Sequence, residues 1–268
     1  MPKVSIITVT YNNAEGLEKT IQSVRDQKSA DIEHIIIDGG STDNTTEVIA
    51  NNELAIATWV SEPDSGIYNA MNKGIVMASG EYVFFLNSGD HFYHSRVLEQ
   101  QIQQIVKYDI IAFDIHVIGS KLNLIKSHPK KLHFSYLFKD TLAHQSVFIK
   151  RELFNRVGPY VESLEIVADW KLFLDAFVHH GATYSSIPEV LSVYYLDGKS
   201  ATKDGTAIRI KERERILKEE YGLFYNDYMR LQTLNLYRFK MLSRLETSKH
   251  GRKITSGVLR VLLKLFGK

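Results

Sequence analysis

The first hundred residues alternate between short β-branched runs and longer stretches with helical spacing. Val4-Ser5-Ile6-Ile7-Thr8-Val9-Thr10 is short and largely apolar, the pattern of a buried strand. Asn12 or Asn13 follows as a helix cap, and Leu17, Ile21 and Val24 share one face of the helix it would open. His34-Ile35-Ile36-Ile37 predicts a second strand, ending on Asp38-Gly39-Gly40, with Ser41-Thr42-Asp43 placed to cap the next helix. Thr58-Trp59-Val60 predicts a third strand. Ile67, Ala70, Met71, Gly74, Ile75 and Ala78 form one helical stripe, which Gly80 stops. Tyr82 to Leu86 is the fourth strand. The order βαβαβαβ predicts an α/β fold, a mainly parallel sheet with helices on both faces.

In such sheets ligands bind beyond the carboxyl ends of the strands. Thr10-Tyr11-Asn12, Asp38-Gly39-Gly40 and Asn87-Ser88-Gly89-Asp90 all fall there, so they should converge on one crevice. Further on, Ile110 to Ile118 and Leu122 to Ile125 predict a hairpin about Gly119-Ser120, and Ser146 to Ile149 a strand. Asp169 opens a helix with Leu172, Phe173, Ala176 and Phe177 buried. Ala182 to Tyr195 reads as strand, proline turn, strand. From about residue 206 the chain is helical and basic.

Charge sharpens this division. The net charge of the 268 residues is +2, yet residues 201–268 carry 16 Lys/Arg against 7 Asp/Glu, leaving residues 1–200 at −7. There is no cysteine, which excludes disulfides and thiolate metal sites and fits a reducing compartment. The N-terminal MPKVSIITVTYNN lacks the long apolar run of a secretory signal and reads as the first strand. No apolar run approaches the ~20 residues that span a bilayer.

Several clusters could carry chemistry, each with a plainer alternative. In Asp38-Gly39-Gly40-Ser41-Thr42-Asp43 a carboxylate could accept from a base or ribose, and the glycines permit close approach; the alternative is a tight turn capped by Asp43. Asn69, Asn72 and Lys73 share the first turns of a helix and could meet a phosphate or ribose; the alternative is a capped helix opened by Asp64 or Ser65. Asp90 could hold a metal if substrate phosphates complete its shell; the alternative is a polar turn. Asp169 could be a general base, or a helix cap.

In order, VSIITVTYNN, IIIDGGSTDNT, SEPDSGIYNAMNKGI, FLNSGD, HQSVFIKRELF and ADW resemble the inverting nucleotide-sugar glycosyltransferases of family 2, with the GT-A fold. The resemblance spans roughly residues 3 to 202 and is nearest the branch that builds bacterial surface polysaccharides. It implies a nucleobase cradle at Thr10, Tyr11 and Asn12, with Asp38 and Gly39 at the base. It implies Asp64, Asn72 and Lys73 near ribose and diphosphate, and Asn87 and Ser88 at the same donor. Asp90 matches the last acid of the family's Asp-x-Asp motif, the ligand of Mn²⁺ or Mg²⁺. Asp169 matches the general base. His144, Gln145 and Trp170 fall on the acceptor side, and Lys199 on a loop that covers the diphosphate. The implied layout is a transferase domain at 1–204, with a nucleotide half to about 95 and an acceptor half from 96, and a helical extension at 205–268.

The chain departs from the family at two points. Asp90 is alone where many members carry two or three acids, and Ala168-Asp169 replaces a Glu-Asp pair. It also lacks the Gln-x-x-Arg-Trp motif of processive members, so transfer of a single sugar, with UDP-sugars favoured, is expected. The implied acceptor is a saccharide, free or linked to polyprenyl diphosphate. A non-catalytic nucleotide-sugar-binding subunit is the rival reading. A nicotinamide-dependent enzyme is excluded by the missing Gly-x-Gly-x-x-Gly after strand one. In residues 254–268 Val258, Leu262 and Leu265 line one helical face, with Arg260, Lys264 and Lys268 on another. That is a face for an anionic membrane, or for its own domain or a homodimer partner. Nucleic acid is not expected. The expected location is the cytoplasm, with a peripheral place on the inner face of the plasma membrane left open.

Overall fold

A computed structural model describes residues 2–27, 31–196, 198, 201–232 and 237–267. The chain forms two compact units, Met1–Glu212 and Arg213–Lys268. The first begins β1 (Val4–Thr10), α1 (Ala14–Arg25), β2 (Ile32–Asp38), α2 (Thr45–Asn51), β3 (Thr58–Ser61), α3 (Ile67–Met77) and β4 (Tyr82–Phe85). It continues β5 (His91–Phe92), α4 (Val97–Gln101), β6 (Ile110–Gly119), β7 (Leu122–Lys126), α5 (Phe134–Lys139) and β8 (Val147–Lys150). Then come α6 (Leu153–Val157), α7 (Ala168–Val178), β9 (Tyr184–Tyr195) and α8 (Lys203–Glu219), which runs through the expected junction at 204/205.

The strands make one sheet in the order β3-β2-β1-β4-β8-β6-β9-β5, with β7 on β6. β1, β2, β3 and β4 are parallel, as the alternating pattern predicts, and Thr10 pairs with Asp38, which pairs with Ser61. Their carboxyl ends are therefore level, at one edge of the unit. Alternation along β1 sends Val4 and Ile6 toward Val24 of α1 and Ile7 toward Gly74 of α3, so helices cover both faces. Ile6, Ile7, Ile36 and Phe84 are fully buried, each worth about 1.5–3 kcal/mol.

Beyond β4 the sheet changes character. β8 joins β4 antiparallel, β6 joins β8 antiparallel, and β9 returns parallel to β6. Taken whole, the α/β sheet is mixed. The expected strand–turn–strand at 182–195 is one long strand. Its register against β6 jumps from Phe113↔Ile187 to Asp114↔Val190, so Pro188 sits in a bulge where its missing N–H costs no ladder bond.

The second unit contains α9 (Gly222–Gln232), α10 (Tyr237–Leu245) and α11 (Lys249–Phe266). Ser248 caps α11 by accepting from the Gly251 N–H at 2.9 Å. Among the described residues no helix is long and apolar enough to cross a membrane.

Candidate active site

The strand ends meet through hydrogen bonds between their own polar side chains. Asp38 is fully buried: Oδ2 accepts from Ser41 N at 3.0 Å and from Ser61 Oγ at 2.6 Å, and Oδ1 accepts from Ser41 Oγ. This carboxylate braces β2 to β3 and to the loop before α2. Asn12, at φ 48°, accepts at Oδ1 from Thr42 N at 2.8 Å and latches the same loop. Asn13, not Asn12, caps α1, accepting from Gly16 N at 3.1 Å; its Nδ2 reaches Ser88 Oγ at 3.1 Å. Ser88 thus ties the β4 end to the start of α1.

Gly39 is required by its neighbour. A Cβ there would lie 2.5 Å from Asp64 Oδ2, with the Tyr11 ring also in contact. Asp64, Gly39 and Tyr11 therefore form one wall, and Tyr11 is 64% exposed, a flat ring offered to solvent. Asp64 Oδ1 accepts from Gly66 N at 2.9 Å, fixing the loop before α3.

The turn Asn87–Asp90 is clamped from α1. Gly89, at φ +102°, donates to Gly16 O at 3.1 Å and to Thr20 Oγ1 at 3.0 Å, while Thr20 Oγ1 donates to Asp90 O at 2.7 Å. The Asp90 carboxylate accepts from Tyr195 N at 3.4 Å. Next to it, His91 has both ring nitrogens engaged, at Phe92 O and Tyr195 Oη, and burial holds its pKa below the usual value. Thr10 Oγ1 and Asn87 Oδ1 are buried without a hydrogen-bond partner. Two unpaired oxygens at the strand ends mark where a ligand's polar groups would be satisfied.

Asp169 lies in the first turn of α7. It is not the cap: Val167 holds that position. The carboxylate turns to His144, whose Nδ1 is 3.0 Å from Oδ2. The other ring nitrogen, Nε2, is 3.4 Å from Asn87 Nδ2. On its far side Asp169 Oδ1 is 3.4 Å from the Tyr68 hydroxyl, which donates to Ile166 O at 2.6 Å. Burial, and then the Asp169 charge, raise the Tyr68 pKa well above its usual value, so it stays a neutral donor. Glu212 of α8 accepts from Glu165 N at 2.7 Å and Ile166 N at 3.2 Å, holding the loop that delivers α7.

Other expected site residues are placed elsewhere. Trp170 is 2% exposed and its indole N–H donates to Leu137 O at 2.7 Å, so it is a core residue under the acceptor side and presents no ring to a sugar. Asn72 grips the protein itself, donating to Tyr160 O at 3.0 Å and Glu162 Oε1 at 2.8 Å and accepting from Tyr160 N at 2.9 Å. Lys73 pairs with Glu62 at 2.7 Å and Pro63 O at 3.2 Å, which pins the Asp64 loop. Gln145 is buried behind His144. Lys199 lies outside the described residues.

Tyr68 and Thr20 do not stand out in the sequence. Ile67, expected in the buried stripe of α3, is 43% exposed, and Tyr68 takes its place. The i, i+3 spacing of Tyr68 and Met71 was the available signal.

Residues 5–158 match the sequence profile described as Glycosyl transferase family 2. The chain belongs to glycosyltransferase family 2. It is 34% identical over 180 residues to an uncharacterised glycosyltransferase of Mycobacterium tuberculosis, covering 65% of this chain and 69% of that one. It is 30% identical over 217 residues to TuaG of Bacillus subtilis, named for teichuronic acid biosynthesis, covering 76% and 82%. Family membership makes the protein a glycosyltransferase. The GT-A fold is shared with Staphylococcus aureus TarS 1–349 in complex with UDP-GlcNAc, at TM-score 0.63 and 17% identity. That match covers 77% of this chain and 64% of TarS 1–349. The fold is shared too with the mannosyltransferase PcManGT of Pyrobaculum calidifontis in complex with GDP-Man and Mn²⁺, at TM-score 0.60 and 16% identity, over 98% and 81% of the two chains.

A divalent cation of the kind seen in that last complex needs hard oxygen donors. The turn offers the Asp90 carboxylate and the unpartnered Asn87 Oδ1. These two oxygens could hold a cation only if other oxygens, such as those of a diphosphate, completed its shell. Among the described residues no three acidic or imidazole side chains gather to hold a metal.

Proposed function

We propose that the protein transfers one sugar from a nucleotide-sugar, with a UDP-sugar favoured, to a saccharide acceptor, inverting the anomeric centre. The carrying observation is that Asp169 is linked through His144 to Asn87, at the end of β4. A basic carboxylate and the donor-side turn thus belong to one constellation. Tyr11, Gly39 and Asp64 form the wall for the base and ribose, with Asp38 and Asn12 bracing it from behind. Asn87 and Ser88 line the diphosphate side, with Asp90 beside them. A divalent cation held through Asp90 and Asn87 would supply positive charge to the leaving group.

Asp169 then removes the proton from an acceptor hydroxyl. The oxygen attacks the anomeric carbon as the bond to the diphosphate breaks, and the electron pair leaves on the nucleoside diphosphate. General-base assistance of this kind is worth about 10²–10⁴-fold.

The acceptor is proposed to be a lipid-linked intermediate of a surface polysaccharide, worked on at an anionic membrane. α11 supports this: Val258, Leu262, Leu265 and Phe266 are 53, 44, 68 and 79% exposed, with Arg260 and Lys264 on the other face. Residues 247–268 contain six Lys/Arg and no Asp or Glu, and each basic side chain near an anionic surface contributes ~1 kcal/mol. The 268-residue chain carrying Leu262→Glu and Leu265→Glu should no longer float with phosphatidylglycerol vesicles; unchanged flotation would remove the anchor from the proposal.

The donor reading is tested by thermal shift with UDP, GDP, UDP-GlcNAc and GDP-Man, with and without Mn²⁺. Stabilisation by a uridine ligand that needs Mn²⁺ and is lost in Asp90→Ala is expected. No stabilisation by any nucleotide would refute it.

A further inference from the structure

We infer that His144 is a positioning residue, an imidazole that locks the Asp169 base in register with the donor-side turn. The inference rests on the reading of Asp169 as general base, and it moves His144 from the acceptor contacts expected of it.

Three observations carry it. First, both ring nitrogens are engaged by the protein, Nδ1 at 3.0 Å from Asp169 Oδ2 and Nε2 at 3.4 Å from Asn87 Nδ2. Second, the partners fix one tautomer. The Asn87 amide nitrogen only donates, so in the uncharged ring Nε2 accepts and the Nδ1 proton is donated to the carboxylate. Asn87 Oδ1 is buried and unpartnered. Third, the ring stands on a rigid base. His144–Ser146 is a 3₁₀ turn closed by Ser146 N to Ala143 O at 2.9 Å, and Ser192 Oγ donates to Gln145 O. The side chains of His144 and Asp169 are only 14% and 13% exposed, so water competes weakly for the bond.

The consequence for catalysis is geometric. Asp169 has one oxygen held by the imidazole and the other beside the Tyr68 hydroxyl, so the plane of the carboxylate is set. Its remaining lone pairs keep a fixed direction for the acceptor hydroxyl. Asn87 belongs to the turn proposed to hold the leaving diphosphate, so two hydrogen bonds in series connect the nucleophile side to the leaving-group side.

Two experiments on the full chain decide it. The first needs no substrate. Long-range ¹H–¹⁵N spectra of the ¹⁵N-labelled protein should show His144 as the Nδ1–H tautomer in wild type, and lose that preference in Asp169→Ala. A wild-type His144 protonated on Nε2 would overturn the inference. The second uses release of UDP from UDP-GlcNAc with Mn²⁺. His144→Ala should lower kcat by about 10–100-fold, the scale of a misplaced catalytic group, with donor KM within about threefold. His144→Asn, which keeps an N–H near the Nδ1 position, should recover much of that loss. Adding His144→Ala to Asp169→Asn should cost little more, because the imidazole acts only through the carboxylate. Equal losses in kcat and donor affinity, or full additivity with Asp169→Asn, would contradict a positioning role. A wild type that turns over no donor would instead refute the donor reading, and the tautomer would still report on His144.

Discussion

The two halves of the first unit treat their polar side chains in opposite ways. At the ends of β1, β2 and β4 these side chains mostly hold one another: Asp38 is closed on Ser41 and Ser61, Asn13 on Gly16 and Ser88, Thr20 on Gly89 and Asp90. In the later half Asp169 bonds, among the described residues, to the His144 and Tyr68 side chains, and its helix end has no side-chain cap. The first half is a braced cradle, suited to holding a large leaving group still. On the proposed mechanism the second delivers one basic group to it. On that reading acids of the same type serve stability in one half and reactivity in the other, and their hydrogen-bond partners tell them apart.

Substitutions should separate these roles. The largest effect is expected from Asp169→Asn, with kcat falling about 10²–10⁴-fold while the thermal midpoint moves little; a variant keeping most of its rate would erase the distinction. Asp38→Ala should show the reverse, with roughly 3 kcal/mol lost in urea unfolding because two serine hydroxyls and a part-buried N–H lose their acceptor. Its loss of rate per folded molecule should be the smaller of the two.

A smaller effect is shared by both halves. Burial lowers the pKa of His34, on β2, and of His128, after β7, to about 4. Below about pH 6.5 the unfolded chain binds protons that these buried rings refuse. Stability is therefore full above that pH and falls as pH drops toward 4, by roughly 2 kcal/mol for each ring at pH 5. His128→Asn should remove about half of that acid slope in urea midpoints taken from pH 7 to 5.

The same contrast decides what the sequence makes legible. β1 to β4 and their polar ends are written locally, in β-branched runs followed by caps and glycines, and the structure keeps them. The later half depends on pairing across long separations. Nothing near Pro188 announces that β9 will carry it in a bulge opposite β6, and nothing near Val147 says that β8 will enter antiparallel beside β4. Trp170 is adjacent to Asp169 in sequence, yet one step round a helix turns it into the core. Asn72 looks like a phosphate ligand until Tyr160 and Glu162, some ninety residues on, arrive to occupy it. His144 is a lone histidine in the sequence, and only the fold supplies partners at both its nitrogens.

If the cradle holds the leaving group and Asp169 works from the opposite side of the reacting carbon, the product must be inverted. The direct measurement is time-resolved ¹H NMR of the sugar first released from UDP-GlcNAc, an α-linked donor, with Mn²⁺ present. The account predicts that the β anomer appears first and the α anomer only by later mutarotation. An α anomer formed first would contradict it.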